Sequence, residues 1–226
     1  MASLSLKKTL FCEADYAEIL ERQHEIVRDL SLSSDSAVSF LYGSHKDCLS
    51  FGNRFKRAFS SDPQVNLLRD KFDVFLSDRG GEITWHGTGQ LVVYPIFNLS
   101  LLGIGISEYV CLLLKSTSHF LKERYGIETK VNQSEDVGLY HQSQKIAFIG
   151  LRNKGDFVYH GISINIYNNL NLFSLFTPCG RPGRKVTNLE MLAGVKFDVN
   201  KLNKIGEDLC EYLYQRFLEL FLSRKT

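Results

Sequence analysis

Hydrophobic positions in this chain recur at helical spacing in three stretches and crowd into short runs in most of the remainder. Tyr16, Ile19, Leu20, Gln23, Ile26, Val27 and Leu30 fall on one face at a period of 3.6, with charges between them. That spacing predicts an amphipathic helix packed on a core. Residues 107–125 carry a second such face in Val110, Leu113, Leu114, Thr117, Phe120 and Leu121, with Gly126 as the stop. Residues 201–222 carry a third in Leu202, Ile205, Leu209, Leu213, Phe217 and Leu220.

The short apolar runs read as strands: 37–42, 72–76, a brief one ending in His86, 91–99, 137–140, 145–151, 157–159 and 162–166. Gln142-Ser143-Gln144 and Asn153-Lys154-Gly155-Asp156 supply turns between the later runs, which predicts a meander. Pro95 lies inside the run 91–99; it cannot donate to a ladder, so an edge position or a bulge is predicted there. Residues 44–72, polar and irregular with Gly52 and Pro63, read mostly as loop, and 170–176 fits helix or strand. Helices and strands are mixed without strict alternation. This predicts an α+β fold with a mostly antiparallel or mixed sheet rather than a doubly wound parallel one. With no repeat, low-complexity stretch or linker, one domain over 1–226 is expected.

Composition narrows the function classes. A chain of 226 residues buries roughly 70% of its unfolded surface and needs no metal or disulfide to hold together. The formal net charge of +2, from 27 basic and 25 acidic residues, gives no footprint for nucleic acid or an anionic membrane. The local basic runs Arg54-Phe55-Lys56-Arg57 and 181–185 read as solvated loops. The five cysteines are odd in number and form no C-x-x-C, which argues against a disulfide framework or structural zinc and for a reducing compartment. Cys12, Cys111 and Cys210 read as inert positions on helical faces. Lys7 and Lys8 precede no long apolar stretch, unlike a signal peptide, and Glu13, Asp15, Glu18 and Glu21 argue against a transit peptide starting here. No run reaches the length of a membrane span, so the cytoplasm is the expected setting.

Candidate chemistry concentrates in a few segments. Arg79-Gly80-Gly81-Glu82-Ile83-Thr84-Trp85-His86-Gly87-Thr88-Gly89-Gln90 brackets a short strand with four glycines, an arrangement suited to a backbone wall lining a narrow pocket. Cys179 stands between Pro178 and Gly180, with Arg181, Arg184 and Lys185 nearby; positive surroundings favour the reactive thiolate, whereas burial would leave it inert. Lys145 heads an apolar strand. It reads either as an exposed edge charge or as an amine drawn into a pocket, where desolvation would let it exchange protons near neutrality. His86 and His160 each precede a glycine, and a Cys–His dyad is a further arrangement these residues permit. There is no G-x-S-x-G, H-E-x-x-H or Walker A loop, and 80–89 does not fit G-x-G-x-x-G.

Four of these blocks, in order, resemble the lipoyl(octanoyl) transferase family. They are Arg79-Gly80-Gly81 through His86-Gly87 with Gly89-Gln90 and Tyr94-Pro95; Lys145-Ile146-Ala147 with Ile149-Gly150; His160-Gly161 with Asn165; and Pro178-Cys179-Gly180. The resemblance spans residues 16–192. Two departures stand out. Thr88 occupies a position where the family usually has proline, which predicts a looser loop, and 42–52 lacks the family's acidic-His-Pro-Pro stretch.

The resemblance implies the fold shared by lipoate and biotin protein ligases, a larger mixed β-sheet plus a small second sheet flanked by helices. It implies Cys179 as nucleophile and Lys145 as its proton partner. Arg79, Gly80, Gly81, Glu82, Ile83, Thr84, Trp85 and His86 would line the acyl pocket, joined by Phe148, Ile149 and Gly150 and by Gly161, Ile162 and Ser163. Trp85, Ile83, Phe148 and Ile162 are the expected apolar walls, and glycine-segment N–H groups or His86 the expected oxyanion donors. The implied activity moves an octanoyl group from octanoyl-acyl carrier protein to a lysine of lipoyl domains, those of 2-oxoacid dehydrogenases and of the glycine-cleavage H protein. It implies no cofactor, no metal, no nucleic acid and no membrane. The rivals are an ATP-dependent lipoate or octanoate ligase on the same fold, an octanoyl amidotransferase, and a non-catalytic acyl- or lipoyl-domain-binding module; ATP dependence, donor preference and turnover separate them.

Overall fold

Among the described residues, seven strands form one sheet in the order β1 (Ser5–Ala14), β2 (Ala37–His45), β6 (Gln90–Asn98), β10 (Phe157–Asn165), β9 (Gln144–Lys154), β8 (Gly138–His141) and β7 (Lys130–Asn132). A second sheet joins β4 (Asp73–Leu76), β3 (Cys48–Phe51) and β5 (Ile83–His86). This is a computed structural model that describes residues 4–33, 36–56, 59, 63–134, 136–176 and 185–224. Both sheets are mixed: β1 runs parallel to β2 and β3 parallel to β4, while the other pairs are antiparallel. The helices are α1 (Tyr16–Leu32), α2 (Pro63–Arg69), α3 (Ile106–Tyr125), α4 (Leu189–Ala193) and α5 (Val199–Ser223).

β6 sits in the middle of the large sheet and sorts the core into two faces. Leu91, Val93 and Phe97 pack with Leu113, Leu209 and Phe217 of α3 and α5. The alternate residues Val92, Tyr94 and Ile96 pack with Ile19 and Ile26 of α1. A strand covered on both faces reads as a continuous apolar run, which is why 91–97 shows no alternation of polarity. A third cluster gathers Leu49, Phe51, Ile83 and Trp85 of the small sheet with Phe148 and Phe173.

Three helices match the sequence periodicity, and their ends have local causes. Asp15 caps α1 by accepting the Ala17 N–H at 2.9 Å. Glu108 accepts the Gly105 N–H at 2.9 Å at the start of α3, and Gly126, at φ 69°, ends that helix. No helix among the described residues is long and apolar enough to cross a membrane.

Pro95 is not on an edge. It is flanked by β2 and β10, opposite Phe40 on the β2 side. On the other side the β6–β10 ladder is interrupted between Val158/Phe97 and Ile162/Val93. His160 lies in that gap with φ 57°, and its N–H goes to the Gln23 side chain of α1 at 2.8 Å. The β6–β10 ladder is thus open at the residue without an N–H, and a helix side chain accepts the His160 N–H left over in the gap. For the same reason the runs 157–159 and 162–166 are halves of one strand, bent at His160, and not two strands.

Other expectations need correction. Residues 44–72 hold β3 and α2 rather than loop alone, and Cys48 is a buried strand residue. Residues 5–14 form β1, so Cys12 is an exposed strand residue, not a position on a helix. Residues 170–174 form a 3-10 turn. Thr88 is tied down: its hydroxyl donates to Glu13 at 3.0 Å, and its N–H, which proline would lack, donates to Asp47 at 3.3 Å.

Candidate active site

The two sheets are stitched together by the turn that follows Arg79. The Gly80 N–H donates to the Leu151 carbonyl of β9 at 2.8 Å, while Gly52 and Asn53, just past β3, donate to the Glu82 and Arg79 carbonyls. The Arg79 guanidinium, 6% exposed, holds the turn from inside. Nε donates to Ser50 Oγ at 3.0 Å, Nη1 to the Gly80 carbonyl at 2.9 Å, and Nη2 to the Ser50 and Glu82 carbonyls at 2.5 and 2.8 Å. Backbone carbonyls aimed at a buried cation replace part of its lost hydration.

Under this turn lies a cavity of about 320 Å³, within the range of small-ligand pockets. Arg79, Gly80, Gly81, Glu82, Thr84 and His86 line one side; Lys145, Phe148, Ile149 and Gly150 of β9 and Gly161, Ile162 and Ser163 of β10 line the other. Gly161 allows the sheet to close: a Cβ there would lie 2.0 Å from the Val93 carbonyl oxygen. Ile83 and Trp85 do not join the wall. Strand alternation in β5 sends Thr84 and His86 to the cavity and turns Ile83 and Trp85 into the third core cluster, with Trp85 edge-on to Phe173. The wall also includes residues absent from the sequence reading of the pocket: Tyr16, Val92, Tyr94, Asp136, Val137 and His160.

Lys145 is 1% exposed, so of its two readings the buried one holds. Nζ donates to Asp136 Oδ1 at 2.5 Å and to the Val137 carbonyl at 2.8 Å, and it lies 4.8 Å from the Phe148 ring centre. Gly138 makes room for the side chain, since a Cβ there would stand 2.5 Å from Lys145 Cε. The Lys145 backbone is held by the segment past residue 184: its N–H donates to the Lys185 carbonyl, and its carbonyl accepts from Thr187. Pro178, Cys179, Gly180, Arg181 and Arg184 lie outside the described residues, as does Arg57 of the earlier basic run. The last described residue before them, Phe176, packs on Phe173, which stacks on Phe148.

The tautomer of His86 follows from a chain of amides. The Thr187 carbonyl can only accept, so Asn165 turns Nδ2 to it (3.0 Å) and Oδ1 away. Gln90 then donates Nε2 to Asn165 Oδ1 (3.1 Å) and presents Oε1 to His86 Nδ1 at 2.8 Å. His86 Nδ1 therefore carries the proton, and Nε2 is a lone-pair acceptor. Burial first, then the charges of His45 and Arg79, push its pKa well below the ordinary histidine value, so the ring is neutral. A neutral ring of this tautomer accepts hydrogen bonds through Nε2 and is no oxyanion donor there, contrary to one expectation for it.

His160 is held differently. Its Nε2 faces Asp78 Oδ1 at 2.8 Å, and the Tyr159 hydroxyl also donates to Asp78. Burial lowers the His160 pKa despite that carboxylate, while Asp78, despite its own partial burial, is held well below the usual carboxylate range by bonds from His160 and Tyr159. Burial raises the Cys48 and Cys210 thiols, with nearby carboxylates adding to the rise, and leaves neither as a thiolate.

A large mixed sheet joined to a small three-stranded one, with helices flanking them, is the fold shared by lipoate and biotin protein ligases. A lipoate protein ligase, so described as putative, from T. acidophilum with bound lipoic acid superposes with a TM-score of 0.71 at 14% identity, over 98% of this chain and 93% of that one. A biotin protein ligase from Aquifex aeolicus superposes at 0.53 and 15% identity, over 96% and 71%. The model of the family "Lipoyl protein ligase A/B catalytic domain" matches residues 15–207. An octanoyltransferase of Desulforamulus reducens is 35% identical over 194 residues, 85% of this chain and 83% of that protein. The chain belongs to the lipoyl protein ligase A/B catalytic family and, within it, to the octanoyltransferases, which are acyltransferases.

Proposed function

We propose that the protein carries an octanoyl group from octanoyl-acyl carrier protein to a lysine of a lipoyl domain through a thioester on Cys179. The observation that carries this reading is the Lys145 amine, 1% exposed in the wall of a cavity shared with Phe148, Ile149 and Ile162. The chain flanking Cys179 supports it: Phe176 belongs to the cluster behind Phe148, and Lys185 pairs with the Lys145 backbone. Cys179 and Lys185 are six positions apart, a reach of at most about 22 Å.

In the first half-reaction the Cys179 thiolate attacks the donor's thioester carbon, and the carrier's sulfur leaves. Lys145 gives that sulfur a proton, so the free thiol departs and the amine of Lys145 is left neutral. In the second, an unprotonated acceptor amine attacks the enzyme thioester. Its nitrogen passes a proton to Lys145, the amide forms, and Cys179 leaves as thiolate. Two easier steps replace one hard one. Thioester exchange is near neutral and amide formation downhill, so the cycle consumes no ATP. The acceptors are the lipoyl domains of 2-oxoacid dehydrogenases and of the glycine-cleavage H protein.

Intact-mass measurement after mixing with octanoyl-carrier protein tests this. The expected product is one octanoyl adduct, labile to hydroxylamine, absent from Cys179→Ser. An adduct of equal mass and lability in Cys179→Ser refutes the nucleophile. Lys145→Ala is expected to slow acylation by about 10²- to 10⁴-fold, the usual worth of a positioned acid–base group.

A further inference from the structure

We propose that Asp136 is a positioning residue for the transfer, fixing the Lys145 amine in place and favouring its ammonium form at the cavity wall. This rests on the reading that Lys145 moves the proton. A lysine head group on a four-carbon stem is a mobile, strongly hydrated charge. Here it is stripped of water, its side chain 2% exposed and that of Asp136 12%. The carboxylate oxygen at 2.5 Å and the Val137 carbonyl at 2.8 Å take two of its three N–H directions, which sets the third. The backbone that carries the carboxylate is itself held, because the Tyr140 hydroxyl of β8 donates to the Asp136 main-chain carbonyl at 3.0 Å.

The charged and titratable groups facing Nζ from the described elements include Asp136, before β8, and the Tyr140 ring of β8, 5.5 Å away; Phe148 of β9 adds an aromatic face. The segment 185–187 meets Lys145 through its backbone. Asp136 thus sets a carboxylate beside the amine, and an opposite charge at that distance favours the protonated form. The proton cycle stays balanced without it: Lys145 loses a proton to the departing thiol and regains one from the acceptor amine, while Asp136 remains ionised throughout. Its part is to return the amine to one place and one charge after each turnover.

The test is single-turnover acylation of the full chain by octanoyl-carrier protein, followed by intact mass from neutral to alkaline pH, for wild type, Asp136→Asn, Asp136→Glu and Lys145→Ala. Asp136→Asn is expected to lower the rate at saturating donor about 10- to 100-fold, the worth of one charge-assisted hydrogen bond. The donor concentration for half-saturation should not move. The alkaline fall in rate, where Lys145 loses its proton, should shift to lower pH, and Asp136→Glu should recover part of both. A purely structural role would leave that limb where it is. A wild-type rate and limb in Asp136→Asn, with Lys145→Ala slowed, overturns the proposal alone. An unaffected Lys145→Ala overturns instead the reading beneath it. Should Asp136→Asn melt below the assay temperature, Asp136→Glu carries the test: a displaced limb supports the proposal, and an unmoved limb with an unchanged rate overturns it.

Discussion

His45 lies behind the cavity at 1% exposure, its Nδ1–H aimed at the Ala14 carbonyl at 3.3 Å and its Nε2 accepting from the Tyr94 hydroxyl at 2.9 Å. Burial lowers its pKa from 6.5 to about 4. The unfolded chain takes up this proton below about pH 6.5, but the folded one does so only near pH 4. Stability is therefore unaffected above pH 6.5 and is lost as pH falls toward 4, by about 3 kcal/mol in full. His86 and His160 shift the same way and add to the effect. His45→Gln, which keeps an acceptor for Tyr94, is expected to flatten the dependence of melting temperature on pH in that window; an unaltered slope would count against the assignment. At this scale the sequence was partly transparent. The candidacy of Lys145 could be seen from its block, because the block's order carries information. Asp136 could not, because an acid in a polar loop looks like solvated charge until folding places it 2.5 Å from an amine.

Elements follow the same logic at longer range. α1, α3 and α5 were legible because each buries one face and leaves the other wet. β1 was not: it is an edge strand, largely exposed, in which Phe11 is the one buried residue, so no alternation marks it. β3 was hidden for the opposite reason: it is four residues long and all four are buried, the polar Ser50 against Arg79 included, too short a run to stand out from the polar stretch around it. Pro95 was half legible: its strand is interior, not an edge, but its missing N–H falls where the β6–β10 ladder is interrupted, and α1 takes up the His160 N–H left over there. Gln23, 1% exposed, takes the N–H of His160 across the gap in the ladder. Gln23→Ala strands that buried donor and is expected to cost about 1–3 kcal/mol, read as a lowered denaturation midpoint. A midpoint equal to wild type would show that water replaces the amide and that the strand needs no help from the helix.

At the scale of the whole molecule, the cavity exists only because the small sheet closes on the α1 face of the large one, with the 79–82 turn tying β3 to β9. No local pattern records that closure; the sequence offered wall residues but could not say that Ile83 and Trp85 face away from the cavity. If this cavity takes the acyl chain, as proposed, the same closure sets acyl selectivity. Ile162, 1% exposed at the centre of β10, stands in the cavity wall. Ile162→Ala removes three carbons from that wall and opens space for a longer chain. Each methylene newly buried is worth about 0.8 kcal/mol, roughly fourfold, so two more bring a ceiling near 15-fold. The kcat/KM ratio for decanoyl- over octanoyl-carrier protein is expected to rise toward that limit. Ile205→Ala is the control: Ile162 and Ile205, 1% and 3% exposed, both belong to the main core, but of the two Ile162 alone also lines the cavity. The control should cost comparable stability and leave the ratio unmoved. Equal ratios in the two variants would mean that chain length is read by the fit of the carrier at the surface and not by the depth of the cavity.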